Sequence, residues 1–281
     1  MMQPARTVRC PAPPMAEYPA GAVAPEFARV PELAGNVGLP SDMIPRVRRL
    51  FVDTRHGLRL STIAWGTGPP DLVLLHRVGE DAHVWDAAAL SSGRSAVAID
   101  LPGHGASDGP AHQRHCAVDN EPSVSEVIQR LTPTSVLAGA GLGGLTALRV
   151  AAMRPDLCQA LVLIDTAPDA STARHRAMQR PSGSRSTKPD APGRRDNDVD
   201  RSDGHYGSLH AGEAWEDLRR LDCPVLLVQV RPGSLTEDAV LVMRDSLRHL
   251  SITSVAAGSL VANRYPVALG PLLEGLVAGV R

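Results

Sequence analysis

The sequence feature that most constrains the fold is a regular alternation of short apolar runs and helix-like segments across residues 71–165. The runs DLVLLH, SAVAID, SVLAG and QALVLID are continuous and apolar, as are strands that are buried on both faces of a sheet. Helix-like segments separate them at about residues 81–90, 123–131 and 142–153, and Pro155 ends the last of these. Strict alternation of this kind predicts an α/β fold with a mostly parallel sheet flanked by helices.

Further elements extend this pattern on both sides. The segments VRRLFVDT and LRLSTIAWG indicate two strands joined at a His-Gly turn, and strands CPVLLVQV and SITSVAA alternate with helices towards the end of the chain. We therefore predict one α/β domain at residues 45–281. Residues 1–44 are rich in Pro and Ala and predict a flexible extension, and residues 169–212 mix both charges with Ser, Pro and Gly and predict a low-complexity insertion.

Composition excludes several classes of partner. A net charge of -1 over 281 residues gives no basic field for a nucleic acid. No run of about 18 apolar residues predicts a membrane span, and the first residues do not read as a secretory signal, so we expect a cytoplasmic protein. We expect no cofactor. The cysteines form no C-x-x-C pair, which argues against a zinc cluster and a disulfide framework, so we also expect no metal. The cysteines are Cys10, Cys116, Cys158 and Cys223.

The stretch SVLAGAGLGGLTALRVA, residues 135–151, has two interpretations with unrelated chemistry. Its strand, its turn with Gly139, Gly141 and Gly144, and its helix fit the G-x-G-x-x-G fingerprint of a dinucleotide-binding domain, and Asp165 follows about 20 residues later. The same stretch also has the outline of a hydrolase nucleophile elbow, a sharp turn between a strand and a helix.

The loop AIDLPGHGASDGP at residues 98–110 favours the elbow, because a nucleotide-binding fold has no need of so many turns there. At this loop the chain resembles the α/β-hydrolase superfamily, as it also does at LVLLH, RPDLCQALVLID and WEDLRRLDCPVLLV. The resemblance covers about residues 46–168 and 209–280 and implies an α/β-hydrolase fold whose cap region is reduced or disordered. The glycine loop also follows three or four strands, whereas a dinucleotide fingerprint normally follows the first.

The resemblance also locates the positions of a catalytic triad. The elbow GAGLG has Gly141 where the family has a serine. The acid is expected where Gly233 and Ser234 stand, and the histidine is expected where Ser259 stands, with no histidine after His249. This pattern predicts a degenerate Ser-acid-His triad and argues against serine-hydrolase chemistry.

Five residues are candidates for an oxyanion hole or a pocket. The backbone N–H of Leu142 follows the nucleophile position and is one oxyanion donor of the family. Arg77 stands where the family has a glycine, and its guanidinium can project into the pocket or towards solvent. His76 and His104 are interpreted as structural residues of turns, and Asp165 as a cap at the end of a strand.

These observations predict a non-hydrolytic small-molecule enzyme, of the lyase, isomerase or cyclase type, that uses the old pocket. The first alternative is a catalytically inactive pseudoenzyme that binds a ligand or a protein partner, and the second is a dinucleotide-binding oxidoreductase. The expected partner is a small organic molecule, with a protein partner or a homo-oligomer also open.

Overall fold

A computed structural model describes residues 7–8, 24–110, 116–168, 211–233, 235–256 and 268–280. The strands are β1 (Thr7–Val8), β2 (Val47–Asp53), β3 (Arg59–Trp65), β4 (Leu72–Leu75), β5 (Ala96–Ile99), β6 (Gly109–Pro110), β7 (Ser135–Ala140), β8 (Cys158–Ile164), β9 (Val225–Arg231) and β10 (Leu250–Ala256). The α-helices are α1 (Val30–Asn36), α2 (Asp86–Ser92), α3 (Ala117–Leu131), α4 (Leu142–Met153), α5 (Ala211–Arg219), α6 (Glu237–Ser246) and α7 (Leu269–Gly279).

Eight of these strands form one sheet in the order β10-β9-β8-β7-β4-β5-β3-β2. The six strands from β10 to β5 run parallel, while β3 pairs antiparallel with both β5 and β2. The predicted α/β fold with a mostly parallel sheet is therefore confirmed. Because the carboxyl ends of β4, β7, β8 and β9 lie at one edge of the sheet, the loops that follow them meet there.

The core consists of two apolar layers, one on each face of the sheet. Successive residues of a strand point to opposite faces, so that Val136 belongs to one layer and Leu137 to the other. Leu148 of α4 packs in the layer of Leu137, and Leu273 of α7 packs in that of Val136. Helices thus cover both faces, which explains why the central strands are apolar without alternation. No described helix is long and apolar enough to cross a bilayer.

The N-terminal part of the domain differs from the prediction of a flexible segment over residues 1–44. Residues 24–44 are described, and α1 together with the preceding 3-10 turn places Phe27, Val30 and Leu33 in the layer that contains α2. A helix of only seven residues buries few apolar side chains and gives no sustained periodicity, so the sequence pattern does not reveal it. The predicted insertion at residues 169–212 lies almost entirely outside the described residues.

A polar network fastens this N-terminal segment to the sheet. Arg49 of β2 donates from Nε to Glu26 Oε2 at 2.7 Å and from Nη1 to Asp100 Oδ2 at 2.9 Å. His83 Nδ1 lies 3.0 Å from Asp86 Oδ2. Burial opposes the charge on His83, but its hydrogen bonds to Asp86 and Glu26 outweigh burial and the repulsion from Arg49, and they raise its pKa to about 10.

This raised pKa predicts a pH dependence of stability. The charge on His83 stabilises the fold fully below the unfolded-state pKa near 6.5, and this contribution is lost as the pH rises towards 10. Between pH 6 and pH 10, the free energy of unfolding of the wild type should therefore fall by on the order of 2 kcal/mol more than that of His83→Gln, after allowance for solvent screening. Urea unfolding at both pH values measures the difference.

The exposed His56 in the β2–β3 turn supplies the control, because His56→Gln should change stability with pH as the wild type does. Equal pH dependence in wild type and His83→Gln would contradict the proposed contribution.

Candidate active site

The turn between β7 and α4 has the backbone geometry of an elbow. Gly141 lies between the two elements at φ 53° and ψ −122°, in a region that side-chain-bearing residues rarely adopt. Leu142 is the first residue of α4, so its N–H has no partner within the helix and lies at the positive end of the helix dipole. The carboxyl edge of the sheet therefore carries a donor suited to a developing negative charge.

Close approach of backbone segments explains the neighbouring glycines. A Cβ on Gly143 would lie 2.3 Å from the carbonyl oxygen of Leu75, and a Cβ on Gly139 would lie 2.4 Å from that of Gly143. A Cβ on Gly144 would lie 2.7 Å from Thr166 Oγ1. These glycines allow α4 to start against the ends of β4 and β8, so their spacing follows from packing and not from contact with a pyrophosphate.

Arg77 follows β4 and lies across the elbow. A Cβ placed on Gly141 would be 3.1 Å from Arg77 Cγ, and Arg77 Nη2 is 3.6 Å from Asp165 Oδ2. Of the two orientations that the sequence leaves open, the structure has the one directed to the site, with 36% of the side chain exposed. The Arg77 Nε–H is buried and donates no hydrogen bond to the described residues.

Asp165 lies beside the elbow at the end of β8. Ile164 of β8 is paired with Ala140 of the parallel strand β7. The residues that follow them, Asp165 and Gly141, are therefore neighbours. The Asp165 side chain is 4% exposed, and a Cβ on Gly233 would lie 2.5 Å from its Oδ1. The carboxylate at this strand end therefore lies between Arg77 and the loop after β9.

The backbone of Asp165 is itself unusual. Its φ of 47° makes it the one residue other than glycine with positive φ in the part of the chain that the structure describes. Such a conformation costs on the order of 1–3 kcal/mol and is concentrated at functional sites. This strain supports a role for Asp165 in the site.

His76 and His104 hold the loops behind the site. His76 Nε2 accepts a hydrogen bond from the Leu101 N–H at 3.0 Å, so its Nδ1 carries the proton and donates to the Arg77 carbonyl at 2.6 Å. His104 Nδ1 lies 3.1 Å from the Pro102 carbonyl oxygen, and the two rings are tilted with centroids 5.1 Å apart. With both nitrogens engaged by the backbone, His76 fixes the loop that carries Arg77 and is not free to act as a base.

Thr166 is a site residue that the sequence analysis missed. Its hydroxyl accepts a hydrogen bond from the Gly141 N–H at 2.7 Å and donates one to the Ile164 carbonyl at 2.8 Å. The elbow is thereby tied to the end of β8. Its position directly after Asp165 at the end of an apolar run is the only signal in the sequence, and no motif points to it.

The other two positions assigned to the triad, Ser234 and Ser259, lie outside the described residues. The structure thus brings Leu142, Arg77 and Asp165 together around Gly141.

Comparison with known proteins agrees with this geometry. A family model of the alpha/beta hydrolase fold matches residues 70–198. A solved structure of the Mycobacterium tuberculosis esterase Rv0045c superposes with a TM-score of 0.68 at 26% identity, covering 92% of this chain and 98% of that chain. A haloalkane dehalogenase from Bradyrhizobium elkanii has a TM-score of 0.60 at 17% identity, which shows the fold alone. The chain has the α/β-hydrolase fold, and these matches support its place in the α/β-hydrolase superfamily.

Two relatives with assigned activities are both esterases. The esterase Rv0045c of Mycobacterium tuberculosis is 37% identical over 146 residues, and the match spans 52% of this chain and 47% of the relative. A pimeloyl-(acyl-carrier protein) methyl ester esterase of Klebsiella pneumoniae is 40% identical over 105 residues, spanning 37% of this chain and 39% of the relative. The matched part of the chain thus covers half the length of these relatives or less.

The names of these relatives overturn the function predicted from the sequence. Esterases are hydrolases, so the predictions of a non-hydrolytic enzyme, of an inactive pseudoenzyme with a degenerate triad and of a dinucleotide-binding oxidoreductase are wrong. The error was to infer loss of hydrolysis from side chains at three positions. In serine proteases, removal of triad members leaves about 10³–10⁴-fold catalysis over water, from the oxyanion hole and substrate binding alone.

The packing at the elbow predicts opposite effects for two glycine substitutions. Gly143→Ala should destabilise the protein by on the order of 3 kcal/mol or prevent soluble expression, because its Cβ would collide with the backbone of β4. Gly275→Ala in α7 meets nothing within 4 Å and should stabilise the protein by up to about 1 kcal/mol. Chemical denaturation measures both, and wild-type stability in Gly143→Ala would contradict the packing argument.

Proposed function

We propose that this protein is an ester hydrolase that acts on small-molecule esters at the turn between β7 and α4. The observation that carries the proposal is the elbow geometry at Gly141 and Leu142, which presents a helix N-terminal amide beside a cation and a carboxylate. The names of the relatives, which are esterases, agree with this reaction class.

Binding of the ester places its carbonyl oxygen against the Leu142 N–H. That oxygen gains negative charge as the carbonyl carbon becomes tetrahedral, and a preorganised amide at a helix N-terminus stabilises the charge without reorganisation. The Arg77 guanidinium, which is partly exposed, adds a positive charge on the same side of the elbow.

Water is the nucleophile in this proposal, since Gly141 has no side chain that can attack a carbonyl carbon. Asp165 accepts a proton from the water as its oxygen bonds to the acyl carbon. The tetrahedral intermediate then collapses, the bond to the alcohol oxygen breaks, and the proton passes from Asp165 to the departing alkoxide. The products are a carboxylic acid and an alcohol, and no acyl-enzyme forms.

Arg77 also positions the base. Its Nη2 lies 3.6 Å from Asp165 Oδ2. Gly233 packs against the other carboxylate oxygen, Oδ1. The Asp165 carboxylate is therefore restrained on two sides, which fixes the direction from which it can reach a water molecule.

Removal of the Leu142 amide tests the oxyanion role. Leu142→Pro eliminates the N–H at the first helical position, where proline is tolerated, so the fold should persist. We expect kcat for hydrolysis of p-nitrophenyl acetate and of carboxylic acid methyl esters to fall by about 10²–10³. Leu142→Met retains the N–H and should keep most of the activity; equal activity of folded Leu142→Pro and Leu142→Met would contradict the assignment.

Substitution of the carboxylate tests the base. Asp165→Asn retains the shape but cannot accept the proton, so kcat should fall by about 10²–10⁴. The control is Asp156→Asn, which changes an exposed carboxylate paired with Arg154 and should leave activity unchanged.

A fluorophosphonate probe distinguishes the water route from a covalent one. The proposal expects no stoichiometric adduct by intact mass in a preparation that hydrolyses esters. An adduct on a serine such as Ser234 or Ser259 would overturn attack by water while leaving ester hydrolysis in place. Absence of hydrolysis with every ester tested would overturn the proposed function itself.

A further inference from the structure

A pair of thiols lies at the edge of the sheet opposite the candidate active site. Cys158 is the first residue of β8, and Cys223 precedes β9 by two residues. Their sulfur atoms are 3.9 Å apart. Since β8 and β9 run parallel, both cysteines lie at the amino ends of their strands, away from Asp165 at the carboxyl end of β8.

The two thiols have different access to solvent. Cys158 is 6% exposed and packs in the core layer that contains Leu137 and Leu161. Cys223 lies in the short loop before β9 and is partly exposed. A small solute can therefore reach Cys223, and the partner sulfur lies directly behind it.

We propose that Cys223 and Cys158 form a peroxide-sensitive dithiol site, in which hydrogen peroxide oxidises Cys223 and Cys158 then closes a disulfide. The sulfurs of a disulfide are about 2.0 Å apart, so the pair has to approach by about 2 Å. Cys223 lies in a loop outside β9, so the proposal assigns this approach to rotation of its side chain.

The chemistry balances in two steps. The Cys223 thiolate attacks one oxygen of hydrogen peroxide, the O–O bond breaks, and sulfenic acid and hydroxide form. The Cys158 sulfur then attacks the sulfenic sulfur, its proton and the hydroxyl leave as water, and the S–S bond forms. The hydroxide from the first step takes up the proton that Cys223 lost on ionisation, so two thiols lose two electrons and one peroxide molecule is reduced to two molecules of water.

The electrostatic surroundings agree with this order of events. A hydrogen bond from the Cys158 thiol lowers the pKa of Cys223, against the opposing effect of its burial. The same hydrogen bond, together with burial, raises the pKa of Cys158 well above its usual value. Cys223 is thus the thiol that ionises and reacts first, whereas Cys158 stays protonated until the sulfenic acid forms.

The surroundings favour a disulfide over a metal site. Among the described residues, no group of three or more His, Cys, Asp or Glu side chains could hold a metal ion.

The test uses the full chain with Cys10→Ser and Cys116→Ser, so that only the pair remains. Treatment with a small molar excess of hydrogen peroxide should lower the intact mass by about 2 Da, and reduction with dithiothreitol should restore it. Peptide mapping should find Cys158 linked to Cys223.

Single variants in this background distinguish the two roles. In Cys158→Ser, Cys223 should accumulate as sulfenic acid that dimedone traps, whereas in Cys223→Ser the buried Cys158 should remain unmodified at the same exposure to peroxide. A linked peptide together with this asymmetry supports the proposal. Oxygen addition without a linked peptide, or equal dimedone labelling of the two variants, would overturn it.

Discussion

The contact on which the site depends is the close approach of the α4 N-terminus to the end of β4. Gly143 lies against the carbonyl oxygens of Leu75 and His76 so closely that a Cβ would be 2.3 Å from the first and 2.5 Å from the second. Without a side chain there, α4 starts directly above the centre of the sheet. The Leu142 amide therefore lies at the same end of the sheet as Arg77, which follows β4, and Asp165, which follows β8.

The side chain of Arg77 lies next to the space that a side chain at residue 141 would occupy. A Cβ on Gly141 would contact Arg77 Cγ at 3.1 Å, so the stem of Arg77 occupies space beside the position of a side chain at residue 141. The resemblance to the hydrolases has a glycine at the first position and a serine at the second, whereas this chain has the bulky residue first and the glycine second. We interpret the two residues as complementary. The absence of a side chain at Gly141 leaves space for the Arg77 side chain and for a water molecule, and Arg77 adds a positive charge to the site.

The sequence predicted the fold well because apolar runs report burial of strands on both faces, as they do for β4 and β7. It predicted the turn around Gly141 for a similar reason, since positive φ selects glycine. Asp165 was a pocket candidate in the sequence, but its place beside Gly141 depends on the pairing of β8 with β7, and that register is a tertiary property. The predicted function gave more weight to the missing triad side chains than to the oxyanion donor of Leu142, which the sequence also indicates, and the esterase names of the relatives contradict it.

Strand β8 connects the two chemical features of the molecule. It begins at Cys158 and ends directly before Asp165, and it is hydrogen-bonded to β9 through four residue pairs from Leu161 with Val225 to Ile164 with Val228. A bond between Cys158 and Cys223 joins strands that are already in this register, so it leaves the register unchanged. At the other end of these strands, the loop after β9 places Gly233 against the Asp165 carboxylate, so the thiol pair and the candidate site lie at opposite ends of one paired unit.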